Sequence, residues 1–271
     1  MFSYIGGKST IGKWIQEYIP NDIDTYVESF SGAFWTYFNI DIDKYQNLER
    51  VVYNDYNKLN SNLFACIKQH KDFYKFLKEI PAQEKDRFEI YQRSCFSSDI
   101  KFDQNNPDFQ LGLEYIYVIT QVFSGSKPET SNFIDLKGKY KSKYYTFMDK
   151  LINPRWTKYI DKITDIENLD FGDCIKKYDG ENTYFYNDPP YHKTEKYYSK
   201  HDFGLEDHER LANDLKSMDG KFSLSYYYFD DLEKWFPKDK YTWEQKEFSK
   251  GAGALKGGKQ SKGTELLIMN Y

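Results

Sequence analysis

Residues 183–191, TYFYNDPPY, constrain the fold more than any other stretch of the chain. A run of aromatic residues is typical of a buried strand, and this one ends at an acid and two prolines. Proline cannot donate a hydrogen bond to a central ladder and cannot continue a helix. We therefore predict that the strand stops at Asn187 and that Asp188 and Tyr191 lie on a rigid loop at its carboxyl end.

The rest of the chain alternates short apolar runs with amphipathic stretches. A helix over residues 9–19 is predicted, with Ser9 as its N-cap and Pro20 after its end. Further strands are predicted at 25–30, 50–55, 221–228 and 264–271, and further helices at 58–70 and 205–218. In the last of these helices one face carries Leu205, His208, Leu211, Ala212, Leu215 and Met218. Strands that alternate with helices predict an α/β fold whose mostly parallel sheet is covered on both faces.

Residues 71–159 interrupt this alternation. They are polar, rich in aromatic residues and helical in pattern, with a loop at 124–132. We predict that they form a separate small helical unit, inserted between residues 1–70 and 160–271 of the α/β unit.

The charge of the chain is unevenly distributed. The net charge of −4 argues weakly against a protein coated in nucleic acid, since most such proteins are basic. Locally, however, six lysines lie between Lys127 and Lys150, and the stretch 249–263 has four lysines and no acid. Lysine suits contact with phosphate, although a solvated surface explains both stretches as well.

Several classes of protein are not expected. The sequence has no apolar run of about 18 residues that would predict a membrane span, and its first ten residues do not resemble a secretory leader. The three cysteines are odd in number and share no metal spacing, which favours reduced thiols in a cytosolic protein. The four histidines show no ligand pattern, so we expect no structural zinc.

Two glycine turns are candidates for cofactor binding. FSYIGGK, residues 2–8, places Gly6, Gly7 and Lys8 before a helix, where backbone can approach an anionic ligand, although a simple turn explains it about as well. ESFSGAF, residues 28–34, follows a predicted strand, and Asp55 ends the next one. An acid at this distance after a glycine turn binds ribose hydroxyls in doubly wound folds, which suggests a cofactor that contains a nucleoside.

NDPPY itself predicts a particular chemistry. The prolines fix the Asp188 carboxylate and the Pro189 carbonyl as two acceptors at close range, an arrangement that suits a planar –NH2 group. If both hydrogens are accepted, the nitrogen lone pair becomes localised and can attack an electrophilic methyl group without a covalent enzyme intermediate. Tyr191 can stack on the base that carries the amine, as enzymes that act on a flipped-out base require. The alternative is a proline-ended strand followed by a surface tyrosine.

Eight motifs together resemble a known family. FSYIGGK, ESFSGAF, YNDYN, LDFGDC, NDPPY, DHERLA, KFSLS and TELLIMNY occur in the order seen in Dam-type (alpha-group) DNA adenine-N6 methyltransferases, and they span nearly the whole chain. The resemblance implies a Rossmann-like, S-adenosylmethionine-dependent methyltransferase sheet (residues 1–70 and 160–271) with a small helical target-recognition insert (71–159) that binds DNA.

The resemblance also implies roles for individual residues. Catalysis would use Asp188, Pro189 and Tyr191, and S-adenosylmethionine would be bound by Tyr4, Gly6, Gly7, Lys8, Glu28, Phe30, Gly32, Asp55, Asp170, Phe171 and Asp188. Among these, Glu28, Phe30 and Gly32 would shape the methionine pocket, and Asp170 and Phe171 would flank the adenine ring. Candidate DNA contacts are Ser124, Lys127, Lys139, Lys141, Lys143, Lys256 and Lys259.

The chain departs from the family pattern in two places. Ser29 stands where the family usually has proline, and the bulky pair Ala33–Phe34 stands where it has small residues, which changes the expected shape of the methionine pocket. Methyltransferases that read GATC carry an arginine-rich hairpin in the insert, whereas residues 123–140 contain no arginine, which argues against GATC specificity.

These features favour a site-specific DNA adenine-N6 methyltransferase that needs no metal. Methylation of another planar amine (cytosine N4, an RNA base or glutamine) is an alternative, as is a non-catalytic DNA-binding relative. The expected partners are double-stranded DNA and a cognate restriction endonuclease, and the enzyme is expected to be a monomer in the cytoplasm of a bacterial or phage-infected cell.

Overall fold

A computed structural model of the protein describes residues 1–2, 7–8, 10–97, 99–136, 142–192, 203–249 and 262–271, apart from the side chains of Ser124 and Ser249. Within these residues the chain forms a sheet of seven strands with helices on both faces. The predicted α/β class is confirmed.

The strands are β1 (Thr25–Glu28), β2 (Arg50–Asn54), β3 (Asp165–Glu167), β4 (Thr183–Asn187), β5 (Lys221–Tyr226), β6 (Thr242–Ser249) and β7 (Lys262–Met269). Their order across the sheet is β3-β2-β1-β4-β5-β7-β6. The first five are parallel, and β7 is antiparallel to both of its neighbours. The predicted strand stop at Asn187 is correct to the residue.

The described helices are α1 (Gly12–Gln16), α2 (Lys58–Lys68), α3 (His70–Leu77), α4 (Lys85–Ser97), α5 (Phe109–Thr120), α6 (Lys143–Ile152), α7 (Pro154–Ile160), α8 (Phe171–Tyr178), α9 (Leu205–Ser217) and α10 (Asp231–Trp235). Two predictions about them were wrong in part. The first helix spans only five residues rather than 9–19, and Ser9 lies outside the described residues. Leu205 is 51% exposed because it begins α9, so it is not part of the buried face.

Two apolar cores cover the sheet. Strand residues that point to one face, such as Tyr26, Tyr53 and Tyr184, pack with α1, α2, α5 and α6. Strand residues that point to the other face, such as Val27 and Phe185, pack with α8, α9 and α10. Because β4 is buried on both faces, all five of its side chains are buried, which explains its unbroken aromatic sequence.

The helices of residues 70–160 share the first of these cores. α5 packs against both α2 and α4, and α3 packs against α6. Gln92 donates hydrogen bonds to the carbonyls of Pro128 and Ser131 at 2.6 and 2.9 Å, which ties the following loop to α4. The helical unit is therefore continuous with the catalytic sheet through α2.

Asn54 ties together the loops that follow three neighbouring strands. At the end of β2, its side-chain amide donates to the carbonyls of Ser29 and Leu169 at 2.9 and 3.2 Å and accepts from the Leu169 backbone N–H at 2.9 Å. The Asn54 backbone pairs in turn with Ser31, at 2.9 and 3.0 Å. The carboxyl edge of the sheet is thus held by one fully buried amide.

We expect Asn54→Leu to lower the free energy of unfolding by about 2–5 kcal/mol, because it leaves buried backbone groups of Ser29 and Leu169 without partners. Urea unfolding followed by circular dichroism measures this loss. Asn132→Leu, at an exposed position, is the matched control and should change the stability by less than about 0.5 kcal/mol. Equal effects of the two substitutions would contradict the role given to Asn54.

Candidate active site

The predicted site residues meet because three parallel strands end at one edge. β1 lies between β2 and β4, with Glu28 beside Tyr53 and Tyr186. The loops after these strands carry Gly32, Asp55 and Asp188, respectively. Ligands of open α/β sheets bind outside the carboxyl ends of the strands, and this edge is therefore the candidate active site.

A buried ammonium group lies at the centre of this edge. Lys8 Nζ is 2.8 Å from Asp188 Oδ1, 2.8 Å from the Tyr191 hydroxyl and 3.3 Å from Glu265 Oε1. Lys8 is only 8% exposed, whereas the Asp188 side chain retains 18% exposure. Lys8 of the N-terminal segment and Asp188 of the loop after β4 are thus in direct contact, and Asp188 stays partly open to an incoming group.

Glu265 is a site residue that the sequence reasoning missed. It lies on β7, two strands from β4, and is 1% exposed. Its carboxylate accepts a short hydrogen bond from the Tyr191 hydroxyl in addition to its contact with Lys8. The available signal was the single acid inside the apolar strand TELLIMNY, since an acid there needs a buried partner.

Burial and charge set the protonation of this cluster. Removal from water raises the pKa of Asp188, while the ammonium of Lys8 opposes that shift. Burial likewise raises the pKa of Glu265, and Lys8 again acts in the opposite direction. Two buried carboxylates thus share one cation, so both bind a proton more readily than ordinary acids do.

The Tyr191 ring is held among other groups. It is 7% exposed, and its centroid lies 5.6 Å from that of Tyr226 and 4.5 Å from that of Tyr227. Lys8 Nζ lies beside the Tyr191 hydroxyl, 4.9 Å from the ring centroid. Pro189, between Asp188 and this ring, is buried, which fixes the loop as the two prolines predict.

Glu28 is buried within the same edge. Its Oε1 accepts hydrogen bonds from the Tyr26 hydroxyl at 2.7 Å and from the Tyr37 backbone N–H at 2.8 Å. Burial raises the pKa of Glu28 to about 8, although both hydrogen bonds act to lower it. Glu28 can therefore carry a proton near neutral pH, and a cation that approached it would expel that proton.

The glycine turn is built around Asp55. Gly32 has φ 49°, a left-handed conformation that suits glycine, and its backbone N–H donates to Asp55 Oδ2 at 2.8 Å. Asp55 Oδ1 accepts from the Asn57 backbone N–H at 2.8 Å. Asp55 Oδ2 also accepts from the Asn60 side-chain amide at 3.2 Å, so both Asp55 oxygens have protein donors.

The bulky residue of this turn points into the core. Phe34 has φ 58°, and its ring is fully buried and stacked on Tyr37 with centroids 4.6 Å apart. It also packs edge-on against Tyr53 and Phe64. The chain accommodates its departure from the family pattern by burying the phenyl ring beneath the sheet.

A second aromatic group lies at the start of α8. The rings of Phe30 and Phe171 are 5.4 Å apart, and both lie 5.8 Å from Phe203. The guanidinium of Arg210 lies 3.8 Å from the Phe171 centroid and donates two hydrogen bonds to Asp170, at 2.6 and 2.9 Å. This ion pair lowers the pKa of Asp170. Phe203 and Arg210 were not predicted, although Arg210 belongs to the motif DHERLA.

Asn187 is the last residue of β4 and immediately precedes Asp188. It is fully buried, and neither the oxygen nor the nitrogen of its side-chain amide has a hydrogen-bond partner among the described residues. A buried amide of this kind is costly unless a ligand or a water molecule pairs with it. Asn187 therefore marks a position where a ligand with both a donor and an acceptor fits.

The remaining candidates lie on the helical unit or outside the described residues. Lys127 and Lys143 are exposed, and Phe123, close to Lys127, is 66% exposed. Gly7 is half-buried beside Lys8. The predicted residues Tyr4, Gly6, Lys139, Lys141, Lys256 and Lys259, and the side chain of Ser124, lie outside what the structure describes.

The described residues contain no group of three or more histidine, cysteine or acidic side chains that could hold a metal. None of the described helices has the length and apolar character needed to cross a bilayer.

Comparison with known proteins gives two matches. A family model described as D12 class N6 adenine-specific DNA methyltransferase matches residues 4–249. The chain is also similar to the Type II methyltransferase M.CviBI of Paramecium bursaria Chlorella virus NC1A. The two are 26% identical over 270 residues, which cover 98% of this chain and 97% of that protein.

The raised pKa of Glu28 predicts how stability depends on pH. The folded protein holds this proton more tightly than the unfolded chain, so the contribution is present below pH 4.5 and is lost as pH rises through about 8. We expect the free energy of unfolding of the wild type to fall by on the order of 3–5 kcal/mol more than that of Glu28→Gln over this range. Chemical unfolding at several pH values measures the difference, and parallel curves would contradict the shift.

Proposed function

The chain belongs to the D12 class of N6 adenine-specific DNA methyltransferases, and from this membership we propose the roles that its residues have in methyl transfer. Asp188 and the Pro189 carbonyl accept the two hydrogens of the adenine N6 amine, and Tyr191 stacks on the base. The observation that carries this assignment is that Asp188 Oδ1 already binds a nitrogen, Lys8 Nζ, at 2.8 Å. The site is therefore suited to an N–H donor.

The acceptors act on the amine in two ways. They hold the nitrogen in place, and they draw its hydrogens aside so that its lone pair points at the methyl group. After transfer the nitrogen carries an extra proton, which must leave. Asp188 is suited to take it, because burial raises the pKa of its carboxyl group.

S-adenosylmethionine, the methyl donor that family membership implies, supplies an electrophilic methyl group when it is bound. The residues of the site fit this molecule. The unpaired amide of Asn187 can pair with an amino-acid end, and the buried acid Glu28 favours a nearby positive charge. We propose that Phe30, Gly32, Asp55, Asp170 and Phe171 line the rest of its site, together with Tyr4, Gly6, Gly7 and Lys8 of the N-terminal segment.

We assign DNA reading to residues 71–159. The exposed aromatic ring of Phe123 and the exposed Lys127 lie on the segment between α5 and α6, and Lys143 begins α6. An exposed aromatic ring can stack on a base that has been pulled from the duplex, and lysines can neutralise phosphates. We also propose phosphate contacts for Lys139, Lys141, Lys256 and Lys259, which lie outside the described residues.

The cellular role follows from the relative. Because M.CviBI is named a Type II methyltransferase, we propose that this enzyme protects DNA against a cognate restriction endonuclease. The DNA substrate and three buried cysteines without disulfides support a place in the cytoplasm of a bacterial or phage-infected cell, and we propose that the enzyme acts as a monomer.

Asp188→Ala should lower methyl transfer by at least about 10³-fold, since it removes the acceptor that orients the amine. Tritiated methyl incorporation into unmethylated DNA measures the loss. Circular dichroism should show the wild-type fold, and Asp219→Ala, at an exposed position before β5 and so at the opposite edge of the sheet, should leave transfer unchanged. Retained activity in Asp188→Ala would refute the assignment, and an unfolded variant would favour a structural role.

Phe123→Ala should weaken DNA binding by roughly 5- to 100-fold, the range expected for one lost stacking contact. The salt dependence of binding should stay the same, because no charge is removed. By contrast, Lys127→Gln should lower the slope of log Kd against log salt by about 0.9. Fluorescence anisotropy with labelled duplexes measures both quantities. Phe76→Ala, at an exposed phenylalanine of α3, is the control, and an equal loss of affinity there would contradict the role of Phe123.

A further inference from the structure

Lys8 occupies the position that the target base must take. We propose that its ammonium is an internal plug of the base pocket, and that Glu265 is the positioning residue that receives Lys8 when adenine enters. This inference rests on the proposed function, since it concerns the same pocket.

The plug makes the polar contact that is assigned to the base. Lys8 Nζ lies 2.8 Å from Asp188 Oδ1, where the adenine amine would donate. It also lies 2.8 Å from the Tyr191 hydroxyl, at the edge of the ring on which the base would stack. The adenine amine could not take this position at Asp188 while Lys8 Nζ remains there, so Lys8 must move first.

Glu265 is suited to receive the displaced ammonium. Its Oε1 is already 3.3 Å from Lys8 Nζ, so a small shift lets the ammonium exchange its contact with Asp188 for a closer one with Glu265. A buried ammonium that lost Asp188 and gained no other anion would be strongly disfavoured. Glu265 removes this cost, because it is itself 1% exposed and lies in the same cluster.

Tyr191 connects the two steps. Its hydroxyl accepts a hydrogen bond from Lys8 at 2.8 Å and donates one to Glu265. The Tyr191 hydroxyl therefore keeps its bond to Glu265 when Lys8 leaves, and the ring stays in place for the base to stack on it.

A binding experiment separates base insertion from general DNA binding. The target adenine is first located by sequencing DNA that the wild type has methylated. Two duplexes are then compared, both in the presence of saturating S-adenosylhomocysteine. In the first, the target adenine lies opposite an abasic site, so that it flips out easily. In the second, the target base itself is removed. Kd is measured by anisotropy for the wild type, Glu265→Gln, Lys8→Met and the double variant.

We expect Glu265→Gln to weaken binding of the first duplex by roughly 10- to 100-fold, the range for loss of one charged hydrogen-bond partner, and to leave the second unchanged. In the Lys8→Met background, where no plug remains, Glu265→Gln should change the first Kd by less than about threefold. Glu167→Gln is the matched control, because that buried carboxylate also accepts from a tyrosine, Tyr178, and a lysine, Lys177, at 2.6 and 2.7 Å.

Two results would overturn the inference: equal weakening of both duplexes by Glu265→Gln, or the same loss in the Lys8→Met background as in the wild type. A melting temperature of Glu265→Gln well below that of Glu167→Gln would likewise assign Glu265 a structural role. If the wild type methylates no adenine in DNA, the proposed function fails; if it does and Glu265→Gln binds like the wild type, only the plug is refuted.

Discussion

One buried ammonium, that of Lys8, lies between two carboxylates at the carboxyl edge of the sheet. Asp188 and Glu265 come from strands on either side of β5, and neither carboxylate could stay buried and ionised without a cation between them. The N-terminal segment therefore belongs to the candidate active site. Trp35 donates to the Phe2 carbonyl at 2.8 Å, and Phe2 packs against Phe147 of α6, so the same segment touches both the glycine turn and the helical unit that we assign to DNA reading.

Around this charge the strand-end loops form a rigid frame. Asn54 joins the loops after β1, β2 and β3, and Asp55 holds the glycine turn through the Gly32 backbone. The acceptors and the aromatic rings must keep fixed positions, because methyl transfer depends on alignment of the amine with the donor. Lys8, the group that changes partners in our proposal, is a long side chain attached to this frame. The acceptors can therefore stay fixed while the cation moves away and lets the base reach Asp188.

The positions of the strands could be predicted from the sequence, whereas the contacts between side chains of distant strands could be predicted only in part. Prolines 189 and 190 define the end of β4 through local backbone chemistry, so that prediction needed no tertiary information. Glu265 could not be placed, because its partner Tyr191 lies 74 residues earlier and strand order across the sheet decides which acids meet. The position of the Phe34 ring could not be predicted either, because its burial against Tyr37 depends on tertiary packing that no local pattern reveals.

The most direct test of the central claim is single-molecule sequencing of DNA from cells that express this protein, compared with cells that express Asp188→Ala. If the Asp188 and Pro189 acceptors act on the adenine amine, N6-methyladenine will appear at one recurring sequence in the first DNA and will be missing from the second. N6-methyladenine at the same sequence in both DNAs, or modified cytosine in place of adenine, would contradict the claim.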